Sequence, residues 1–107
     1  MSGIATVYAT FGDADEAARI ARTLVEERLA ACANILGPVR SIYRWEGRIE
    51  DGAEAAVLFK TRGDRAEALI ARLAQLHSYD VPAAVVWPID HALPAYARWV
   101  EAETKPV

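Results

Sequence analysis

Cysteine, histidine and clustered positive charge are all scarce in this 107-residue sequence, and each shortage excludes something. A single cysteine, Cys32, rules out an internal disulfide and fits a reducing compartment. Ten of the twelve basic residues are Arg, and they are scattered, with no block able to track a phosphate backbone. Against fifteen acidic residues they leave a formal charge of −3, which argues against nucleic acid or an anionic membrane as the main partner. The opening MSGIATVYATF has no basic n-region, and its apolar run is too short for a signal peptide or a membrane span. The expected location is therefore cytoplasmic. Glycine-rich phosphate loops, HExxH, paired CxxC and GxSxG are absent, so the expectation is a protein that is not an enzyme. Linkers, repeats and low-complexity segments are missing too, which leaves one domain over residues 1–107.

What is present is a foldable pattern: 53% hydrophobic and 25% charged residues. IATVYATF (Ile4–Phe11) is a β-branched and aromatic run stopped by Gly12, a first strand. Asp13 stands three residues before Glu16, a capping pattern that opens a helix ending near Ala31, with Ala17, Ile20, Ala21 and Leu24 on its apolar stripe. Asp15, Glu16, Arg19 and Arg22 fall off that stripe. Ala33–Trp45 reads as a long strand interrupted at Gly37-Pro38, a pair suited to a bulge or an edge. Glu46-Gly47 makes a tight reversal, and Glu54–Thr61 is a third strand. Asp64 and Glu67 repeat the capping pattern for a second helix, with Ala66, Leu69, Ile70, Leu73 and Leu76 on its stripe. A fourth strand, Ala83–Ile89, and a short helical tail with Pro94 in its first turn complete the chain. The order β-α-β-β-α-β plus a tail predicts an α+β, ferredoxin-like sandwich: an antiparallel sheet with both helices on one face.

A sheet covered on one face alternates apolar and polar residues. Here Ala55, Val57 and Phe59 point one way, but Ala56 and Leu58 point the other, and Ala83 to Trp87 are no more polar. Both faces read as dry, so the second should be covered by another copy of the chain.

The candidates for chemistry cluster in three places. In LHSYDVP (Leu76–Pro82), His77 is either a helix-terminus residue favoured by the helix dipole or a metal ligand with Tyr79 and Asp80 beside it. In YRWEG (Tyr43–Gly47), Tyr43 and Trp45 share one side of a strand and suit an interface, a small-molecule wall or plain core packing. Lys60 interrupts the apolar AVLFKT, where an ammonium either finds a partner or snorkels to solvent. Cys32 in LAACANIL is expected to be a buried, inert thiol. Arg48–Glu54 gathers three carboxylates near one turn, an acidic loop able at most to hold a divalent ion weakly. His91 reads as solvated.

Taken together, RTLVEERLAACANILGPVRSIYRWEG followed by FKTRGDRAEALIARLAQLHSYDVPAAVVWPI resembles the CutA divalent-cation tolerance proteins, over nearly the whole chain. The resemblance rests on LVEERLAAC, SIYRWEG, the Lys-Thr-Arg after the third strand and the His-x-Tyr-x-Val-Pro run, in that order and spacing. It implies a homotrimer of ferredoxin-like subunits, similar in architecture to the PII signalling proteins, and a link to tolerance of copper and other divalent ions. It implies no reaction and no required cofactor; Cu(II) or another divalent cation is the candidate ligand. Two features depart from the family pattern: Ser78 and Asp80 replace its usual proline and glutamate, and only Cys32 remains as a thiol, which excludes a multi-thiolate copper site within one subunit. Three functions stay open. The first is metal tolerance with weak binding through His77, Asp80 and Cys32. The second is a PII-like sensor of a small anionic ligand in clefts lined by Lys60, Tyr43, Trp45 and Tyr79. The third is a scaffold trimer presenting a surface to a partner protein.

Overall fold

Over residues 2–106, which the computed structural model describes, the elements are β1 (Ile4–Phe11), α1 (Ala14–Glu26), β2 (Cys32–Trp45), β3 (Arg48–Arg62), α2 (Ala66–Leu76), β4 (Ala84–Pro88) and α3 (Pro94–Glu103). The strands form one antiparallel sheet in the order β2-β3-β1-β4, the ferredoxin-like arrangement that the sequence predicts. Val7 lies opposite Phe59 and Val86, and Ala9 opposite Val57 and Ala84. These side chains, with Phe11, meet Ala17, Ile20, Ala21 and Leu24 of α1 and Leu69 and Leu73 of α2 in the main core.

Local chemistry explains where the elements stop. Asp13 caps α1 as predicted, its carboxylate accepting the Glu16 N–H at 2.8 Å. The helix ends at Glu26, five residues before the predicted Ala31, because Arg28 turns left-handed at φ 61°. The Leu29 N–H then returns to the Leu24 carbonyl and the Arg28 N–H to the Val25 carbonyl, a Schellman closure that needs no glycine. Asp64 does not cap α2 as predicted. Its two carboxylate oxygens take Nε and a terminal nitrogen of Arg62 at 2.9 and 3.1 Å, and a 3-10 turn (Gly63–Arg65) leads into the helix instead.

The β2–β3 hairpin is longer than expected. The ladder breaks between Ile35 and Pro38, at the predicted bulge, and then continues through Tyr43 opposite Glu50 and Trp45 opposite Arg48. Glu46 and Gly47 close it with φ of 50° and 79°, the double left-handed pair of a two-residue hairpin. The supposed acidic loop Arg48–Glu54 is therefore strand: Asp51 pairs across to Arg40, and Glu50 sits beside Arg48. Cross-strand ion pairing stabilises acidic residues in an exposed ladder that composition alone reads as a turn.

The second face of the sheet carries Thr6, Tyr8, Leu58, Lys60, Val85 and Trp87 by register. The tail helix covers one end of it, Ala97 and Val100 packing on Ile4 and Ala31. Next to that end, Tyr8 stacks on Trp87 at 5.2 Å, and Trp87 remains half exposed. None of the described helices is long and apolar enough to cross a membrane.

Candidate functional site

The connection from α2 to β4 is built around His77. The helix ends when His77 adopts φ −73° and ψ 144°, its N–H still closing on the Leu73 carbonyl at 2.9 Å. Extended backbone there turns the imidazole inward, where its side chain has no exposure at all and stacks on Phe11 at 4.8 Å. Both ring nitrogens are used. Nδ1 accepts the Tyr79 backbone N–H at 3.0 Å, which fixes the ring proton on Nε2, and Nε2 donates to the Thr10 carbonyl at 2.8 Å. His77 thus ties the end of β1 to the segment that leads into β4.

Glu16, which the sequence places off the apolar stripe of α1, completes this arrangement from a buried position. Its carboxylate accepts the Ser78 N–H at 2.8 Å and the Gly12 N–H at 3.4 Å. Burial pushes the Glu16 carboxyl up, but the hydrogen bonds from Ser78 and Gly12 outweigh it and hold the group below the ordinary carboxylate range. The sequence signal for a capping box was real, and the Glu16 side chain goes further: it joins Gly12, just ahead of its own helix start, to Ser78, 62 positions away.

Beyond this buried joint lies a cavity of about 730 Å³ along the projecting hairpin, with Tyr43, Trp45, Tyr79, Arg40, Glu54 and Asp80 in its wall. Tyr79 leans its ring on His77 at 4.7 Å and donates its hydroxyl to Glu54 Oε2 at 2.9 Å. Burial, reinforced by Glu54, pushes the Tyr79 phenol up to about 12. Arg40 grips Asp51 through two parallel bonds of 2.9 and 2.7 Å, and that bond holds the Asp51 carboxyl below its ordinary range.

The structure regroups the candidates from the sequence. Tyr43, Trp45 and Tyr79 do share one cavity, and Asp80 joins them there rather than facing His77 across a metal site. Lys60 lies elsewhere, opposite Cys32 in the ladder and bonded to Asn34 Oδ1 at 2.7 Å. Cys32 is only partly buried, its Sγ 3.4 Å from the Tyr96 hydroxyl, and burial followed by that contact pushes the Tyr96 phenol up to about 12. His77, Asp80 and Cys32 do not converge: among the described residues no three His, Cys, Asp or Glu side chains are grouped to hold a metal ion. His91 is exposed, as expected. Glu54, Arg40 and Glu16 were missed as site residues, because each acquires its role from a partner remote in sequence.

Comparison with known proteins agrees with the fold. Residues 5–103 match the family model described as CutA1 divalent ion tolerance protein. The divalent-cation tolerance protein CutA of Pyrococcus horikoshii is 44% identical over 99 residues, which cover 92% of this chain and 96% of that protein. The mouse Protein CutA is 34% identical over 104 residues, 97% of this chain, and the match spans 59% of that longer protein. The crystal structure of CutA from Xylella fastidiosa superposes with a TM-score of 0.93 at 38% identity, covering 96% of this chain and 99% of that one. This chain belongs to the CutA1 divalent ion tolerance family.

Proposed function

We propose that this protein serves divalent-cation tolerance as a cytoplasmic homotrimer that catalyses no reaction. The observation that carries the reading is the apolar surface the chain's own helices leave open. Ile42 and Ile49 on the hairpin are 64% and 59% exposed, and Val85 and Trp87 on the second sheet face are 47% and 50% exposed. A surface of this kind suits burial against further copies. The lone thiol supports the cytoplasmic assignment. Direct binding of copper or another divalent cation is weak in this reading, since a metal at His77 would have to displace the Thr10 and Tyr79 hydrogen bonds. Sedimentation equilibrium of the whole chain is the test: a mass of three 11.7 kDa chains is expected, and a monomer at micromolar concentration would sink the proposal. A parallel calorimetric titration with Cu(II) should give weak heats that His77→Ala leaves unchanged. Tight binding lost in that variant would restore His77 as a metal ligand.

A second reading, a PII-like sensor of a small anionic ligand, is supported by the cavity along the hairpin, which Tyr43, Trp45 and Tyr79 line. Lys60 is remote from it, so an anion there would depend on Arg40 for its charge partner. The third, a scaffold trimer, has no specific observation in its favour.

A further inference from the structure

Nδ1 of His77 has two partners near it and can serve only one of them in each protonation state. In the neutral ring Nδ1 offers a lone pair, which takes the Tyr79 N–H at 3.0 Å, while Nε2 gives its proton to the Thr10 carbonyl at 2.8 Å. A proton added to Nδ1 turns that nitrogen into a donor. Donor then faces donor, and the Tyr79 bond is lost. The Thr10 bond survives, since Nε2 donates in both states.

The added proton finds its acceptor in Glu16. Oε2 stands 3.9 Å from Nδ1, too far for a hydrogen bond in the neutral ring, and an approach of about 1 Å would make one. Despite its burial, the Glu16 carboxyl is held below the ordinary range by Ser78 and Gly12, so it is still an anion where an imidazole gains its proton. The other groups facing the ring do not compete. β1 offers the Thr10 carbonyl and the Phe11 ring, and α2 the Leu73 carbonyl, which the His77 N–H already occupies. Glu54 of β3 is screened by the Tyr79 ring and bonded to its hydroxyl, and Asp80 lies beyond it in the cavity wall.

We propose that His77 is a proton-operated latch on the connection from α2 to β4: neutral, its Nδ1 holds the Tyr79 backbone; protonated, it turns to Glu16 and lets that backbone go. Glu16 Oε2 keeps the Ser78 N–H, because a carboxylate oxygen accepts two bonds, so the connection stays pinned at Ser78 and loosens from Tyr79 onward. Tyr79 is partly exposed, and water takes its freed N–H. The imidazole and Glu16 are buried within one subunit, so cover of the hairpin by further copies leaves the latch in place.

Nuclear magnetic resonance of the full chain, with histidine rings and backbone isotope-labelled, tests this from about pH 8 to about pH 5, the span in which histidine changes charge. Exposed His91 is the internal reference. At the alkaline end Nδ1 should be bare and Nε2 protonated. On acidification Nδ1 should gain a proton, and the Tyr79 amide should shift with the same midpoint while its protection from exchange falls about tenfold, the scale of one hydrogen bond. Amides of the core, such as Val57, should hold. Glu16→Gln should move the transition to lower pH, and His77→Gln should abolish the response of the Tyr79 amide. A ring that gains its proton without any change at Tyr79 would overturn the proposal, and that result is read on the parent protein alone. So would a ring that stays neutral throughout, a transition indifferent to Glu16→Gln, or a Tyr79 response that persists in His77→Gln.

Discussion

The two ends of β3 obey different rules. From Ala55 to Phe59 the strand is flanked by β1 and β2 and backed by α1 and α2, and Val57 and Phe59 are wholly buried. From Arg48 to Ala53 it has β2 alone for a neighbour, and Ile49 stands mostly in solvent. A two-stranded ribbon is marginal in water on its own, so one strand joins a half secured within the subunit to a half that gains from outside cover. The buried end specifies the fold, and the projecting end carries the surface and one wall of the cavity.

That contrast can be broken at either end. Phe59→Ala should cost about 3–5 kcal/mol in chemical denaturation, because the cavity left in a close-packed core cannot collapse fully. The double change Ile42→Asp with Ile49→Asp should leave the far-ultraviolet spectrum of the subunit intact yet shift sedimentation toward the single chain; an unchanged mass would show that the hairpin is not the covered surface. The buried joint around His77 and Glu16 is intermediate. Glu16→Gln should cost about 2 kcal/mol at neutral pH, the scale of hydrogen bonds to a charged acceptor. Since folding lowers the Glu16 carboxyl, its contribution is complete above the unfolded value near 4.5 and is lost as pH falls through the lower folded value. Denaturation midpoints of the parent should therefore fall on acidification below about pH 4.5, and those of Glu16→Gln should fall less. Smallest of all, Arg72→Ala removes an exposed pair with Glu27 and should leave the midpoint where it was at moderate salt.

Local rules made most of the architecture legible. Asp13 as a cap, the Gly37-Pro38 interruption and the Glu46-Gly47 reversal depend on neighbours in sequence, and each is found where those rules place it. The boundary errors came from choices a short window leaves open: Arg28 taking a left-handed turn without glycine, and Asp64 preferring Arg62 to the helix end. The site was harder. Tyr43, Trp45 and Tyr79 stood out by residue type, but Glu54 and Arg40 looked like ordinary surface charge until cross-strand register put Asp51 beside Arg40 and folding brought Tyr79 onto Glu54. Lys60 stood out for the opposite reason. An ammonium in an apolar strand promises a special role, and Asn34 beside it on the ladder supplies an ordinary one.

The imidazole of His77 has one more property. Its Nε2 proton is held by the Thr10 carbonyl while the ring stacks on Phe11, so exchange with water requires His77 to part from the end of β1. A ring N–H resonance that outlasts those of exposed groups in a proton-exchange spectrum would then act as an internal clock, timing how often the connection from α2 to β4 parts from β1.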